Sequence, residues 1–157
     1  MAEHEYTSRV VWTGNRGQGT AQYRGYDRTW NVETPGKPVI PCSNDPLLGG
    51  DPTLHNPEDM LISALSACHM LWYLHLASDA GIAVQAYQDD PLAIGESLPT
   101  GAGRFLRATL RPKITVPPGT DLALADAIHG RIHETCYIAR SVNFPVDYAA
   151  EYRTADA

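Results

Sequence analysis

The feature of this sequence that most constrains its fold is an uncharged stretch of 18 residues, from Met60 to Ala77. A stretch of this length is at the lower limit for a helix that crosses a membrane. However, it contains serine, cysteine and histidine, it is preceded by the acidic Glu58 and Asp59, and no basic anchor follows it. A helix that is apolar on nearly all sides must be covered, so we interpret the stretch as the buried central helix of a soluble protein rather than a membrane span.

The start of this helix carries a capping signal. Asn56 suits the N-cap position, Pro57 suits the first helical position, and Glu58 and Asp59 suit the positive end of the helix dipole. Gly81 is the predicted end of the helix.

The remaining segments alternate strands with one further helix. That helix is predicted over about Leu122 to Cys136, capped by Thr120 or Asp121, because its apolar residues recur at helical spacing. The predicted strands are Ser8–Trp12, Thr20–Tyr23, Thr29–Val32, Ile82–Gln88, Arg104–Val116 and Val142–Tyr148, and the predicted connections are Pro41–His55 and Asp89–Gly103. This order predicts an α+β fold with a mostly antiparallel sheet and two central helices.

Length and charge limit the possible classes of protein. The 157 residues fit a single domain, residues 1–157, with enough apolar content to build a core. The net charge is −6 and the basic residues are scattered, which makes nucleic acid and anionic membranes poor partners. Residues 1–9 are polar and carry no export signal, so we expect a cytoplasmic protein. The odd count of three cysteines argues against a structural disulfide framework.

Two of the cysteines are candidates for a redox pair. Cys68 lies in the predicted buried helix, where a cysteine is by default a small inert apolar residue. Cys136 lies on the second predicted helix, and thiols on two facing helices can meet with their Cα atoms under about 7 Å apart. A thiolate that a peroxide oxidises becomes a sulfenic acid, which a second thiol converts to a disulfide before further oxidation.

The segments around these cysteines resemble the OsmC/Ohr family. HNPEDMLISALSACHMLWYL is similar to the family's NPE-x-x-L signature, with Cys68 ten residues after Glu58. ETCYIARSVNFPV is similar to the segment around the family's second cysteine, and the order of predicted elements matches the family's layout over nearly the whole chain. The resemblance implies a thiol peroxidase that reduces organic hydroperoxides and is recycled by an external dithiol, with no metal or flavin cofactor.

The resemblance also implies a role for each matching residue. Cys68 would be the peroxidatic thiol, Cys136 the resolving thiol, and Glu58 the acid that holds a catalytic arginine. His69 and Tyr137 depart from the residues that follow the two cysteines elsewhere in the family, which leaves the preferred peroxide and the reductant open.

Two residues compete for the role of the catalytic arginine. Arg16, in TGNRGQG, resembles the arginine near the start of the Ohr branch. Arg28, in YDRTW, is at the start of the predicted strand Thr29–Val32, which we expect to face the loop before the helix. We favour Arg28, because the CHMLWYLHL version of the motif resembles a separate branch whose arginine need not align with that of Ohr.

Helix geometry extends this interpretation to an intertwined homodimer. Glu58 and Cys68 are ten residues apart on one predicted helix, which separates them by about 15 Å along its axis. No proline or glycine lies between Pro57 and Gly81 to kink the helix. If Glu58 serves Cys68, it therefore comes from a second subunit, and a helix that is apolar on all sides suits the centre of such a dimer.

Two other functions remain open. His129, His133 and Cys136 have the helical spacing of metal ligands, so a metal-binding protein is one alternative. A non-enzymatic carrier with an apolar pocket for a small ligand is the other. We interpret His55, His69 and His75 as core or loop histidines, and Cys42 as an incidental loop cysteine.

Overall fold

The computed structural model describes residues 2–155, and the described chain divides into two compact units, Met1–Leu61 and Ile62–Ala157. The elements in chain order are β1 (Val10–Trp12), β2 (Trp30–Val32), β3 (Ile40–Cys42), α1 (Pro57–Asp79), β4 (Ala86–Asp89), β5 (Leu92–Ser97), β6 (Gly103–Leu110), β7 (Pro112–Val116), α2 (Leu122–Ile132), β8 (Val146–Tyr148) and β9 (Glu151–Thr154). Single 3₁₀ turns lie at Pro46–Leu48 and Ala139–Ser141. The α+β prediction is confirmed.

The first unit contains an antiparallel sheet in the order β1-β2-β3. The prediction of a strand over Thr20–Tyr23 is wrong, since this segment forms turns. Just before it, the side-chain oxygen of Asn15 accepts hydrogen bonds from the backbone N–H groups of Gly17 and Gly19, and both glycines have positive φ angles. These local hydrogen bonds fold the backbone into a turn and compete with strand pairing.

Helix α1 begins as predicted, with reciprocal capping. The Asp59 N–H donates to Asn56 Oδ1 at 2.8 Å, and the Asn56 N–H donates to Asp59 Oδ2 at 3.3 Å. One face of α1 is buried within the chain, at Ile62, Leu65, His69, Tyr73 and Ala77. The opposite face is exposed, including Leu71 at 63%. Within the second unit, the described residues therefore cover only one side of the helix that the sequence predicts to be buried.

In the second unit, two three-stranded sheets have the orders β4-β7-β9 and β5-β6-β8. The pairs β4/β7 and β5/β6 are antiparallel, whereas β6/β8 and β7/β9 are parallel. The prediction of a polar connection over Asp89–Gly103 is wrong, because this segment contains β5. Strand β9 is a second element that the sequence did not predict.

The predicted long strand Arg104–Val116 is two strands, β6 and β7, which belong to different sheets. The chain changes sheet at Arg111, whose N–H donates to Asp89 Oδ1 at 2.6 Å instead of to a neighbouring strand. The next residue, Pro112, has no N–H to donate. Alternation of side chains is the same on both sides of this break, so periodicity alone could not reveal it.

Helix α2 begins at its predicted cap and ends earlier than predicted. The Asp121 carboxylate accepts from the Leu124 N–H at 3.0 Å. The helix stops at Ile132, whose carbonyl oxygen accepts from the backbone N–H groups of Thr135 and Cys136 and from the Thr135 hydroxyl. Cys136 therefore lies beyond the helix. The core of this unit is formed by Leu65, Tyr73, Leu110, Ile114, Val116, Ala125, Ile128 and Ile132, with smaller neighbours.

Candidate active site

Cys68 and Cys136 face each other in the second unit. Their Sγ atoms are 2.9 Å apart, and both residues are free thiols. Cys68 is partly exposed on α1, whereas Cys136 is fully buried. The prediction that these two sulfurs meet is confirmed by their contact.

The turn after α2 determines where the Cys136 sulfur lies. The Cys136 N–H donates to the Ile132 carbonyl at 2.7 Å, and the Ala139 N–H donates to Cys136 Sγ at 3.4 Å. Burial, reinforced by the hydrogen bond to Cys68, raises the pKa of the Cys136 thiol to about 11. At neutral pH Cys136 is thus a protonated thiol whose S–H donates to Cys68 Sγ.

A buried histidine pair joins α1 to α2, and His69 is the residue that follows Cys68. His69 Nε2 and His129 Nδ1 are 2.8 Å apart. Burial lowers the pKa of His69 to about 4 and the pKa of His129 to about 3, and in His129 the neighbouring His69 adds a smaller effect. Both imidazoles are therefore neutral at pH 7.

A chain of hydroxyl groups fixes the tautomers of this pair. The Tyr73 hydroxyl donates to the Ala125 carbonyl at 3.2 Å, so its 3.3 Å contact with Tyr152 requires the Tyr152 hydroxyl to be the donor. The Tyr152 oxygen must then accept from His129 Nε2–H at 3.1 Å. A neutral His129 consequently keeps a lone pair on Nδ1, which accepts from His69 Nε2–H. Every donor from His69 to Tyr73 is thereby used.

A cavity of about 220 Å³ opens next to the histidine pair. Its lining combines apolar side chains with three imidazoles, a carboxylate and a phenol. The lining residues are Leu65, His69, Leu110, His129, Gly130, His133, Ala139, Val146, Asp147 and Tyr148. Ala139 connects the cavity to the thiol pair, because its N–H reaches Cys136 Sγ.

The structure does not assemble the metal site that the helical spacing of His129, His133 and Cys136 suggests. Cys136 lies beyond the end of α2, and both ring nitrogens of His129 form hydrogen bonds. Within residues 2–155, no three His, Cys, Asp or Glu side chains are grouped so that they could hold a metal ion.

The three other residues that the family resemblance implies lie in the first unit. Arg16 forms an ion pair with Asp27 at 3.5 Å. Arg28 places its guanidinium 4.8 Å from the centre of the Tyr23 ring and forms no ion pair with any described residue. Glu58 is exposed in the first turn of α1, which is unbroken to Asp79. The roles of these three residues toward Cys68 remain predictions.

The prediction that Cys42 is an incidental loop cysteine is wrong. It ends β3, is fully buried, and contacts the sulfur of Met60 at 3.7 Å. Burial raises the pKa of its thiol. Within the first unit Cys42 is therefore a packed core residue.

Sequence reasoning missed the pairing of His69 with His129. We interpreted His69 as a satisfied core histidine and His129 as a possible metal ligand. A usable signal existed, because His129 shares the apolar face of α2 with Ala125, Ile128 and Ile132. A polar side chain at a core position requires a buried partner.

Comparisons with known proteins agree with this fold. A family described as OsmC-like protein matches residues 50–151. The chain is similar to an OsmC-like protein of unknown function from Vibrio cholerae, with 25% identity, a TM-score of 0.84 and coverage of 95% of this chain and 100% of the other. It is also similar to an organic hydroperoxide resistance protein from Elizabethkingia anophelis, with 18% identity, a TM-score of 0.70 and coverage of 97% and 100%.

A third similar structure is an organic hydroperoxide resistance protein OsmC from Legionella pneumophila, at 20% identity, with a TM-score of 0.65 and coverage of 96% and 98%. A search of curated proteins finds no match. The family match spans well over half of the chain and includes both facing cysteines. The chain therefore belongs to the OsmC-like protein family.

Proposed function

We propose that this protein is a cysteine-based peroxidase that reduces organic hydroperoxides through a disulfide between Cys68 and Cys136. The observation that carries the proposal is the 2.9 Å separation of the two sulfurs. The names of the Elizabethkingia and Legionella proteins, which refer to organic hydroperoxide resistance, support the same substrate class.

The proposed reaction balances with these two thiols and one peroxide. The Cys68 thiolate attacks an oxygen of ROOH, the O–O bond breaks, and with one proton the alcohol ROH leaves a sulfenic acid on Cys68. Cys136 Sγ then attacks the Cys68 sulfur, and its thiol proton leaves with the hydroxyl group as water. An external dithiol reduces the resulting disulfide and is itself oxidised. This series of reaction steps requires neither metal nor flavin.

The two sulfurs differ in ways that suit these roles. Cys68 is partly exposed, so peroxide and reductant can reach it, whereas Cys136 is fully buried. A reductant that attacks the Cys68 sulfur releases Cys136 as a thiolate, and the Ala139 N–H is positioned to stabilise that charge. We therefore propose Cys68 as the site of the mixed disulfide with the reductant.

The proposed active form is a homodimer in the cytoplasm, completed by Glu58 and an arginine from the partner subunit. The exposed apolar face of α1 supports a covered position in a dimer. Arg28 is the stronger candidate of the two arginines, because Arg16 already forms an ion pair with Asp27 and Arg28 forms none with any described residue.

The test is a free-thiol count on the reduced protein before and after one equivalent of cumene hydroperoxide. Two thiols of the three should be lost, with stoichiometric cumyl alcohol and a peptide map that joins Cys68 to Cys136. No loss of thiols after prolonged exposure would exclude the proposed activity.

The cavity favours a second candidate, a carrier of a small ligand. Its volume is below the usual range for drug-sized ligands, so only a compact molecule would fit. The same thiol count separates the two functions, because a carrier loses no thiols to the peroxide.

A further inference from the structure

We propose that His69 and His129 are positioning residues, which hold α1 and α2 in the register at which Cys68 and Cys136 meet. The inference rests on the proposed function, since it concerns the disulfide step of that reaction. It assigns a purpose to a buried polar pair that the chemistry of the two thiols does not itself require.

Two hydrogen-bonded contacts fix how the helices pair. His69 on α1 meets His129 on α2, and Tyr73 on α1 donates to the Ala125 carbonyl on α2. On α1, Tyr73 follows His69 by four residues. On α2, their partners run in the opposite order, because Ala125 precedes His129 by four residues. This is the pattern of two antiparallel helices joined at points one turn apart.

The two redox cysteines lie close in sequence to the paired histidines. Cys68 is adjacent to His69 in sequence, and Cys136 follows His129 by seven residues at the end of the turn that begins at Ile132. A displacement of α2 along α1 therefore carries the Cys136 sulfur away from Cys68.

Hydrogen bonds specify this register better than apolar contacts can. Apolar side chains slide past one another at small cost, whereas a buried donor that loses its acceptor is left unsatisfied. The donor order from His69 through His129 and Tyr152 to Tyr73 runs in one direction and uses each proton once. A shifted register would break several of these bonds together.

Disulfide formation is sensitive to such a shift. The effective concentration of one thiol near another depends on placement within a fraction of an ångström, and a misplacement of about 1 Å can cost about a hundredfold. Loss of the His69 to His129 hydrogen bond is therefore expected to weaken the Cys68–Cys136 disulfide without changing either thiol chemically.

The experiment measures the Cys68–Cys136 disulfide in equilibrium with reduced and oxidised glutathione, using the full chain and no peroxide. His69→Leu removes the donor, and His69→Gln replaces it with an amide N–H that reaches a similar position. His75→Gln, on the exposed side of the same helix, is the matched control. Circular dichroism of both redox forms verifies that each variant is folded.

His69→Leu should lower the effective concentration of the thiol pair about tenfold to a hundredfold, while His69→Gln and His75→Gln remain within about threefold of the unmodified chain. A general loss of stability does not change this ratio when both redox forms are folded, so the measurement isolates positioning. If His69→Leu does not fold, Tyr73→Phe removes the second contact and should show the same loss.

Unchanged equilibria in both His69→Leu and Tyr73→Phe would overturn the proposal. Because glutathione replaces the peroxide, a positioning effect in a protein that fails to consume hydroperoxide would support this inference and refute only the proposed peroxidase activity.

Discussion

Acid should destabilise this protein through the buried pair His69 and His129 before its carboxylates contribute. Both imidazoles have lowered pKa values, about 4 and about 3, against an ordinary value of 6.5. The folded state thus binds fewer protons than the unfolded state at mildly acidic pH. The stability from keeping these rings neutral is fully present above about pH 6.5 and is lost as the pH falls toward the folded values.

The size of the effect follows from the pKa differences. Between pH 6.5 and 4.5, unfolding lets each imidazole bind nearly one additional proton. Each such proton lowers the free energy of unfolding by about 1.4 kcal/mol for every pH unit of acidification. From pH 7 to 4.5 the two rings together reduce the free energy of unfolding by about 5 kcal/mol, as large as the entire stability of a marginal domain. The lowered pKa values of Asp51 and Asp90 matter less in this window, because the ordinary value of an aspartate is 3.8.

The other groups around the pair change the size of this loss of stability but not its direction. Asp89 raises the pKa of His69, but less strongly than burial lowers it. The remaining titratable side chains that face the rings or the adjoining cavity are Tyr73, Tyr148, Tyr152, His133 and Asp147. Tyr73 and Tyr152 stay neutral at acidic pH, since burial raises the pKa of both hydroxyl groups above the usual value.

The assay is urea unfolding at pH 7.0, 6.0, 5.0 and 4.5, followed by far-UV circular dichroism. His69→Gln keeps a hydrogen-bond donor but cannot titrate, so the loss of stability over this range should fall to about 2.5 kcal/mol. His75→Gln should retain the full loss. A loss below about 1.5 kcal/mol in the unmodified chain, or one that His69→Gln leaves unchanged, would refute the assignment of a neutral buried pair.

Three further predictions concern the proposed catalysis. Cys68→Ser should abolish consumption of cumene hydroperoxide, and Cys136→Ser should allow one turnover and then irreversible oxidation of Cys68, both read by intact-protein mass spectrometry; full activity in Cys68→Ser would contradict the mechanism. Arg28→Ala should slow the first oxidation of Cys68 in stopped flow by about tenfold or more, because a nearby cation favours the thiolate, whereas a larger effect of Arg16→Ala would reverse the assignment. Mixing equal amounts of Cys68→Ser and Glu58→Ala chains under subunit exchange should restore about a quarter of the unmodified activity if the two residues act in trans; a fully active monomer would exclude a shared site.

The N-termini of the two helices and the importance of two of the cysteines could be predicted from the sequence, because the signals for both lie in residues close together in the chain. Asn56 and Asp121 cap the two helices through side chains that reach only three residues ahead. The segments around Cys68 and Cys136 carry the family resemblance in consecutive residues, and the family match confirms it. The strand break at Arg111 was missed because it depends on Asp89, which is distant in the chain.

The sequence by itself thus determined which two cysteines are chemically interesting and which helices begin where. Only the tertiary structure decided that Cys136 lies beyond its helix, fully buried and protonated, and that His129 pairs with His69 instead of facing a metal. The physical reason is that burial and buried hydrogen bonds arise between segments far apart in the chain. A pKa or a tautomer is set by those neighbours, and no local pattern of residues encodes it.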